Sequence, residues 1–457
     1  MTTLKLLGRR RFLPLFTTQL LNAFNDNLYK TAMVLFVVYF VYNSEEAEGL
    51  FSAIASGLFI LPFFILSAVA GQLADMRDKA RIIRIVKLCE IGLMLIGGTG
   101  LYLAWRGFAL PVSVPLGFTT IDTSLSIILM LFALFLTGVQ STFLGPIKYA
   151  ILPQHLRQEE VLAGTGLVEA GTYVAILAGT ILAGWIPVQF AAVSIVAVSI
   201  LGYLSARQVP AAPPLGKVEK IDRHIIRASI ALVRNTMHDR QVFYAILAIS
   251  FFWTIGAVLF IQFPPLAKNV IMASKEVASL FLVVFSVGVA IGSVTINHLL
   301  KGNVSARFAP ASVLAMGVFV VAFYAVCKLW QMDQPSQLLG VTEFIAWPMA
   351  MLLLACLLGI SVAGGMFVVP LYAFLTTRVA THQASRAIAA NNIVNSGAMV
   401  AGALVAMALT AAGVPIAEQV LLSAAMCLFS AWLGKRLHNA ELADGPILAH
   451  LHTPYPD

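Results

Sequence analysis

The chain has 457 residues, of which 60% are hydrophobic and only 11% charged, and it carries a formal net charge of +8. That balance leaves too little polar surface to cover a soluble globule of this length, so it excludes an ordinary water-soluble domain and makes a bilayer the expected solvent. The positive excess fits loops facing anionic lipid headgroups and excludes nucleic-acid binding as its purpose. About 20 apolar residues cross a bilayer, and twelve such runs are expected at 12–41, 50–73, 83–105, 124–150, 163–186, 188–207, 241–264, 276–300, 307–330, 346–374, 386–411 and 414–434.

The first run is too long for the apolar stretch of a signal peptide and no small-residue cleavage site follows it, so it is expected to remain in the mature protein. With both termini placed inside, only Arg106, Lys268, Lys275 and Lys328 fall outside. The outer connection "NSEEAEG" is acidic, while the inner connections "DMRDKARIIRIVK" and "KVEKIDRHIIRASIALVRNTMHDR" are basic. Cys89, Cys327, Cys356 and Cys427 sit in apolar runs without CxxC spacing, which makes them packing residues with no metal or disulfide framework.

The longest polar insertion separates six runs from six. The expected organisation is an N-terminal half over 1–207, a cytoplasmic linker over 208–240, a C-terminal half over 241–436 and a polar tail over 437–457. Within the linker, Ile221, Ile225, Ile226, Ile230 and Val233 recur at helical spacing opposite Arg223, Arg227 and Arg234. This pattern predicts an amphipathic helix lying on the membrane.

Charges inside a bilayer are costly and mark function by default. The stretch "LNAFNDNLYK" carries Asp26 about 14 residues into the first run, roughly 20 Å deep at 1.5 Å per residue. Asn22, Asp26 and Lys30 form one helical stripe with Asn25 and Asn27 beside it, expected either to line a substrate path or to pin the helix as an Asp26–Lys30 pair. Further along, Gly145 and Pro146 are expected to break the fourth run, with Lys148 after them and Glu169 at similar depth in the fifth, where the two can pair or meet a headgroup. Glu90, three residues after Lys87, reads as an interface pair. Gly171, Ala175, Gly179 and Ala183 read as a packing ridge. In the tenth run Gly359, Gly364, Gly365 and Pro370 permit bending or close packing. In the eleventh, Asn391 and Asn395 share a face fit for interhelical hydrogen bonds or substrate contact.

No GxSxG, GxxxxGK[ST] or HExxH motif is present, so neither hydrolysis nor ATP-driven transport is expected from the sequence. The loop "GQLADMRDKAR" resembles the loop 2–3 signature of the major facilitator superfamily, with Gly71, Asp75, Arg77 and Lys79 or Arg81 in its Gly, Asp and basic positions. That resemblance implies an all-α membrane fold of twelve transmembrane helices in two six-helix halves, with these residues as a cytoplasmic conformational motif. Together, "NAFNDNLYKTAMVL", "GPIKYAILPQHL", "GLVEAGTYVAILAGTILAG" and "PLYAFLTTRVATHQASRAIAANNIVN" resemble the lysophospholipid transporter family, from about Phe12 to Leu433. They are most similar to the transporter half of proteins fused to a 2-acylglycerophosphoethanolamine acyltransferase. Asn25 stands where some members have Gly, and Thr165 where Asn is usual.

The resemblance implies headgroup contact by Asp26, Asn27, Lys148 and Glu169. Asn22, Lys30, Asn391 and Asn395 join them from the polar pattern alone. The function so expected is alternating-access movement of lysophospholipid, lysophosphatidylethanolamine foremost, to the cytoplasmic leaflet of the bacterial inner membrane for reacylation by a separate acyltransferase. A monomer without cofactor or metal is the expected form, with membrane lipids as its surroundings. The alternative is a proton-coupled exporter of amphipathic small molecules on the same fold, which needs a titrating carboxylate and a proton gradient.

Overall fold

A computed structural model describes residues 6–108, 110–115, 120–214, 224–300, 305–377 and 384–443. Twelve α-helices of at least 19 residues dominate the described chain. Six come before the linker: α1 (Leu13–Phe36), α2 (Glu45–Met76), α3 (Lys79–Trp105), α4 (Leu125–Ala150), α6 (Gln158–Trp185) and α7 (Val188–Ala206). A one-turn helix, α5 (Leu152–His155), lies between α4 and α6. After α8 (Ile225–Thr236) in the linker come α9 (Arg240–Asn269), α10 (Lys275–Leu299), α11 (Ala309–Met332), the short α12 (Val341–Ala346), α13 (Ala350–Thr377), α14 (Ala384–Ala411) and α15 (Ile416–Ala443).

Two compact units emerge, one of Met1–Ile225 with Lys275–Leu280, the other of Ile226–Ser274 with Phe281–Asp457. Among the described residues, nine helices are long and apolar enough to cross a membrane. The other three long helices are α1, α3 and α6. Two of these are rich in polar residues: α1 carries Asn22, Asn25, Asp26, Asn27 and Lys30, and α3 carries Lys79, Arg81, Arg84, Lys87 and Glu90. Helices α1 and α3 thus bring charge into the first unit.

Close helix approach in that unit follows the small-residue ridge. A Cβ at Gly179 would lie 2.5 Å from the carbonyl oxygen of Phe24, and one at Gly171 would lie 2.7 Å from the ring of Phe16, so α6 packs directly on the backbone of α1. The same logic holds in the second unit, where Gly359 lies against the ring of Phe319 and Gly365 against the backbone of Val289. Pro370 sits inside a continuous α13. These glycines are packing sites, as small residues are in membrane helix pairs generally.

One local expectation needs correction. The Gly145–Pro146 step does not break α4, which continues to Ala150 with Pro146 inside it. Membrane helices tolerate proline where neighbouring groups re-satisfy the freed carbonyls. The connection between α3 and α4 holds a β-hairpin within an otherwise helical fold: β1 (Pro111–Pro115) pairs antiparallel with β2 (Thr120–Ser124), Val112 opposite Thr123 and Val114 opposite Ile121. Alternating β-branched residues favour such a pair.

The start of the linker is built into the first unit. Val209 and Ala212 are buried in the same apolar cluster as Phe12, Leu15, Ile83, Ile147 and Leu152. Asp78 ties this segment down, its Oδ1 accepting from the Ala80 N–H at 2.9 Å as the N-cap of α3 and from the Ala212 N–H at 3.0 Å. In return the Lys79 N–H donates to the Ala212 carbonyl at 3.0 Å, and Arg84 donates to the Val209 carbonyl at 2.7 Å. Of the loop residues singled out from sequence, Lys79 is buried, Arg77 and Arg81 are exposed, and open space lies beside Gly71. The side chain of Asp75 lies outside the described residues. His155 of α5 faces the same segment. Burial pushes its pKa below the usual histidine value, against the opposing pull of the Ala211 and Pro210 carbonyls and Asp78.

Candidate functional site

The middle of the first unit contains a hydrogen-bonded network spanning α1, α3 and α4. On α1, the i,i+4 spacing lets the Asn22 amide donate to Asp26 Oδ2 at 3.1 Å. Ser141 of α4 donates to the same carboxylate oxygen at 2.5 Å. Asn22 Oδ1 in turn accepts from Gln140 Nε2 and from Lys87 Nζ, each at 3.2 Å. Lys87 and Glu90, one turn apart on α3 and both fully buried, form an ion pair. Glu90 Oε1 then accepts from Asn25 Nδ2 at 2.9 Å, and that amide also donates to the carbonyl of Ile195 on α7 at 3.1 Å.

Gly202 of α7 makes the room this needs. A Cβ there would come 2.8 Å from Lys87 Cε, so the bare backbone lets the lysine lie flat and reach both Asn22 and Glu90. Burying a charge without a partner costs several kcal/mol. Pairing Lys87 with Glu90 and surrounding both with asparagine amides is what makes their burial tolerable.

Asp26 is less completely satisfied. Its Oδ1 is buried without a hydrogen-bond partner, as are Asn25 Oδ1, Gln140 Oε1 and, about two turns before Asp26 on α1, Gln19 Nε2. Each buried polar atom left unpaired costs about 1–3 kcal/mol, so four of them near the centre of one unit are an expense that packing alone does not explain. Three are acceptors and one is a donor, a set able to receive a polar group that brings both ammonium or hydroxyl hydrogens and an oxygen.

The stripe expected from sequence is thus partly redrawn. Asn22 and Asp26 lie in the network. Asn27 does not, since its amide donates back to the Ala23 carbonyl at 2.8 Å. Lys30 places its ammonium over the ring of Phe59, 5.1 Å from the centroid. Lys148 is half-buried near the end of α4, and the side chain of Glu169 lies outside the described residues. Sequence reasoning passed over Gln140 and Ser141 entirely and assigned Lys87 and Glu90 to an interface pair.

A second polar cluster occupies the second unit. Ser250 of α9 donates to Asn395 Oδ1 at 2.6 Å, and Trp253 Nε1 donates to the Tyr372 hydroxyl at 2.7 Å. Asn395 Nδ2 reaches that hydroxyl at 3.5 Å, joining α9, α13 and α14. Asn391, one turn before Asn395 on α14, is fully buried with both amide atoms unpartnered. Trp253 and Tyr372 were not singled out from sequence, where aromatics in apolar helices look like packing.

Long apolar helices enclosing buried polar networks define a multi-pass membrane protein. The family description Major Facilitator Superfamily matches residues 15–403, and the chain belongs to that superfamily. It is 28% identical over 401 residues to the lysophospholipid transporter LplT of Serratia proteamaculans, covering 86% of each chain. To the lysophospholipid transporter LplT of Citrobacter koseri it is 24% identical over 416 residues, covering 88% of this chain and 89% of the relative. In fold it is similar to a bacterial homolog of the human lysosomal transporter Spinster, with a TM-score of 0.67 at 12% identity, covering 95% of this chain and 98% of that one. It is likewise similar to a D-xylose–proton symporter, with a TM-score of 0.61 at 13% identity, covering 93% of this chain and 96% of that one.

Proposed function

We propose that the protein moves lysophospholipid, lysophosphatidylethanolamine foremost, across the bacterial inner membrane to the cytoplasmic leaflet by alternating access, where a separate acyltransferase consumes it. The observation that carries this reading is the set of unpartnered acceptors around Asp26, namely Asp26 Oδ1, Asn25 Oδ1 and Gln140 Oε1, with the Gln19 amide as a nearby donor. A headgroup that supplies ammonium hydrogens and a phosphate oxygen complements that set. Relatives named lysophospholipid transporter, matched over more than four fifths of their length, support the same substrate class.

In this reading Asp26 and Asn22 receive the headgroup, while Lys87 and Glu90 hold Asn22 and Asn25 in register for it. Lys30 sits at the edge of that site. Asn391 and Asn395 supply polar contacts from the second unit, and Lys148 and Glu169 serve nearer the inner mouth. Gly71, Asp75, Arg77, Lys79 and Arg81 form the cytoplasmic motif, with both termini on the cytoplasmic side and a monomer as the working unit.

The test is leaflet-to-leaflet movement of labelled lysophosphatidylethanolamine in proteoliposomes, with and without an imposed proton gradient. Protein-dependent movement in the absence of a gradient is the expected result. Movement only with a gradient would transfer the assignment to a proton-coupled carrier, and movement of amphipathic cations but not of lysolipid would contradict the substrate class.

A further inference from the structure

Packing does not explain the composition of helix α8. Among the described residues, no other helix or strand packs along it, and Ile226 and Ile230 are 74% and 60% exposed. At 3.6 residues per turn, Ile226, Ile230 and Val233 fall within about 60° of arc, and Arg234 and Arg227 stand about 40–60° further round. Both arginines are exposed. An apolar stripe bordered by cations is the pattern of a helix lying in a membrane interface, the stripe in the acyl boundary and the guanidinium groups at phosphate level.

The chain holds α8 close to such a surface. Only Met237, His238 and Asp239 separate it from α9, a span of about 10 Å when fully extended. Helix α9 is itself apolar and long enough to cross the membrane. Asp239 fixes the junction as the N-cap of α9, accepting from the Gln241 and Val242 N–H groups at 2.8 and 2.9 Å. A helix tethered this tightly to the mouth of a membrane span, with bare isoleucines, has the bilayer surface within reach.

We propose that α8 is a docking element for anionic phospholipid, Ile226 and Ile230 inserting while Arg227 and Arg234 pair with lipid phosphates. Charge complementarity chooses this occupant. The described helix carries no acidic residue, and its two arginines would repel a basic partner. Each arginine near an anionic leaflet favours the bound state by about fivefold, so together they shift the docked-to-free equilibrium by about 30-fold.

The experiment uses the full-length protein with Cys89→Ser, the other three cysteines being buried, and a nitroxide placed through Ile230→Cys. The protein is reconstituted into vesicles of phosphatidylcholine alone or of phosphatidylcholine with phosphatidylglycerol. On the anionic vesicles the label should be reached by oxygen and shielded from a water-soluble nickel reagent, while a label at Asn235→Cys stays accessible to nickel. Arg227→Gln with Arg234→Gln should lower the ratio of shielded to accessible label by the same factor of about 30, and high salt should act in the same direction. A nickel-accessible label at Ile230→Cys on anionic vesicles would overturn the proposal. So would a label shielded from both reagents, which would mean packing against protein, or shielding unaffected by lipid charge and by loss of both arginines.

Discussion

Lys87→Met is expected to destabilise the protein by about 3–5 kcal/mol, because it leaves the Glu90 carboxylate buried without its counter-charge. Both side chains are fully buried, so water cannot replace the lost ammonium. The substitution also removes a donor from Asn22, which is the residue that orients Asp26. Replacing both members with apolar residues should behave differently. Lys87→Met with Glu90→Met removes the uncompensated charge and should recover most of the loss. It leaves Asn25 without the Glu90 acceptor, so recovery falls short by about 1–3 kcal/mol. Thermal unfolding midpoints of the purified protein in detergent give the cycle. Single and double variants of equal stability would mean that the pair is solvated and not the buried girder described above.

Asp26→Asn should leave folding almost unchanged and reduce transport by about 10- to 100-fold. Asparagine keeps the size of the side chain and an acceptor for Ser141 and Asn22, so the α1–α4 contact survives. What disappears is the negative charge, and a hydrogen bond to a charged group is worth about 1.5–3 kcal/mol. The loss should appear in the transport rate at low lysolipid concentration, with the yield and melting behaviour of the purified protein near wild type. Asn27→Ala serves as the internal contrast, because Asn27 bonds only to its own helix in the described network and its loss should change transport far less. Equal effects of the two substitutions would mean that the polarity of α1, and not the particular position of Asp26, is what matters.

The parts of this molecule that were legible in the sequence are those governed by period and composition. Twelve apolar runs read as helices because roughly 20 apolar residues have few alternatives in a bilayer. Asn22 and Asp26 were visible as a stripe because four residues return to the same helix face. The amphipathic linker helix was visible for the same reason. What could not be read was which residues of different helices meet. Gln140 and Ser141 look like ordinary polar residues in an apolar run until α4 is packed against α1. Lys87 and Glu90 showed their i,i+3 spacing, but not that Asn22 and Asn25 close around them. Gly202 carries no sequence signal for its role, since only the path of Lys87 reveals the missing Cβ as necessary. Proline at 146 misled for a related reason: a helix breaker in water is tolerated where neighbouring helices restore its lost hydrogen bonds.

The central claim is that a lysolipid headgroup meets the network around Asp26. Its most direct measurement is photo-crosslinking of purified, reconstituted protein with lysophosphatidylethanolamine carrying a photoreactive group on its headgroup, followed by peptide mapping. Crosslinks on the α1 segment from Asn22 to Lys30 and on α4 at Gln140–Ser141, competed by unlabelled lysolipid and lost in Asp26→Asn, are the predicted result. Crosslinks confined to exposed positions such as Val318 and Leu428, unaffected by competitor or by Asp26→Asn, would contradict it.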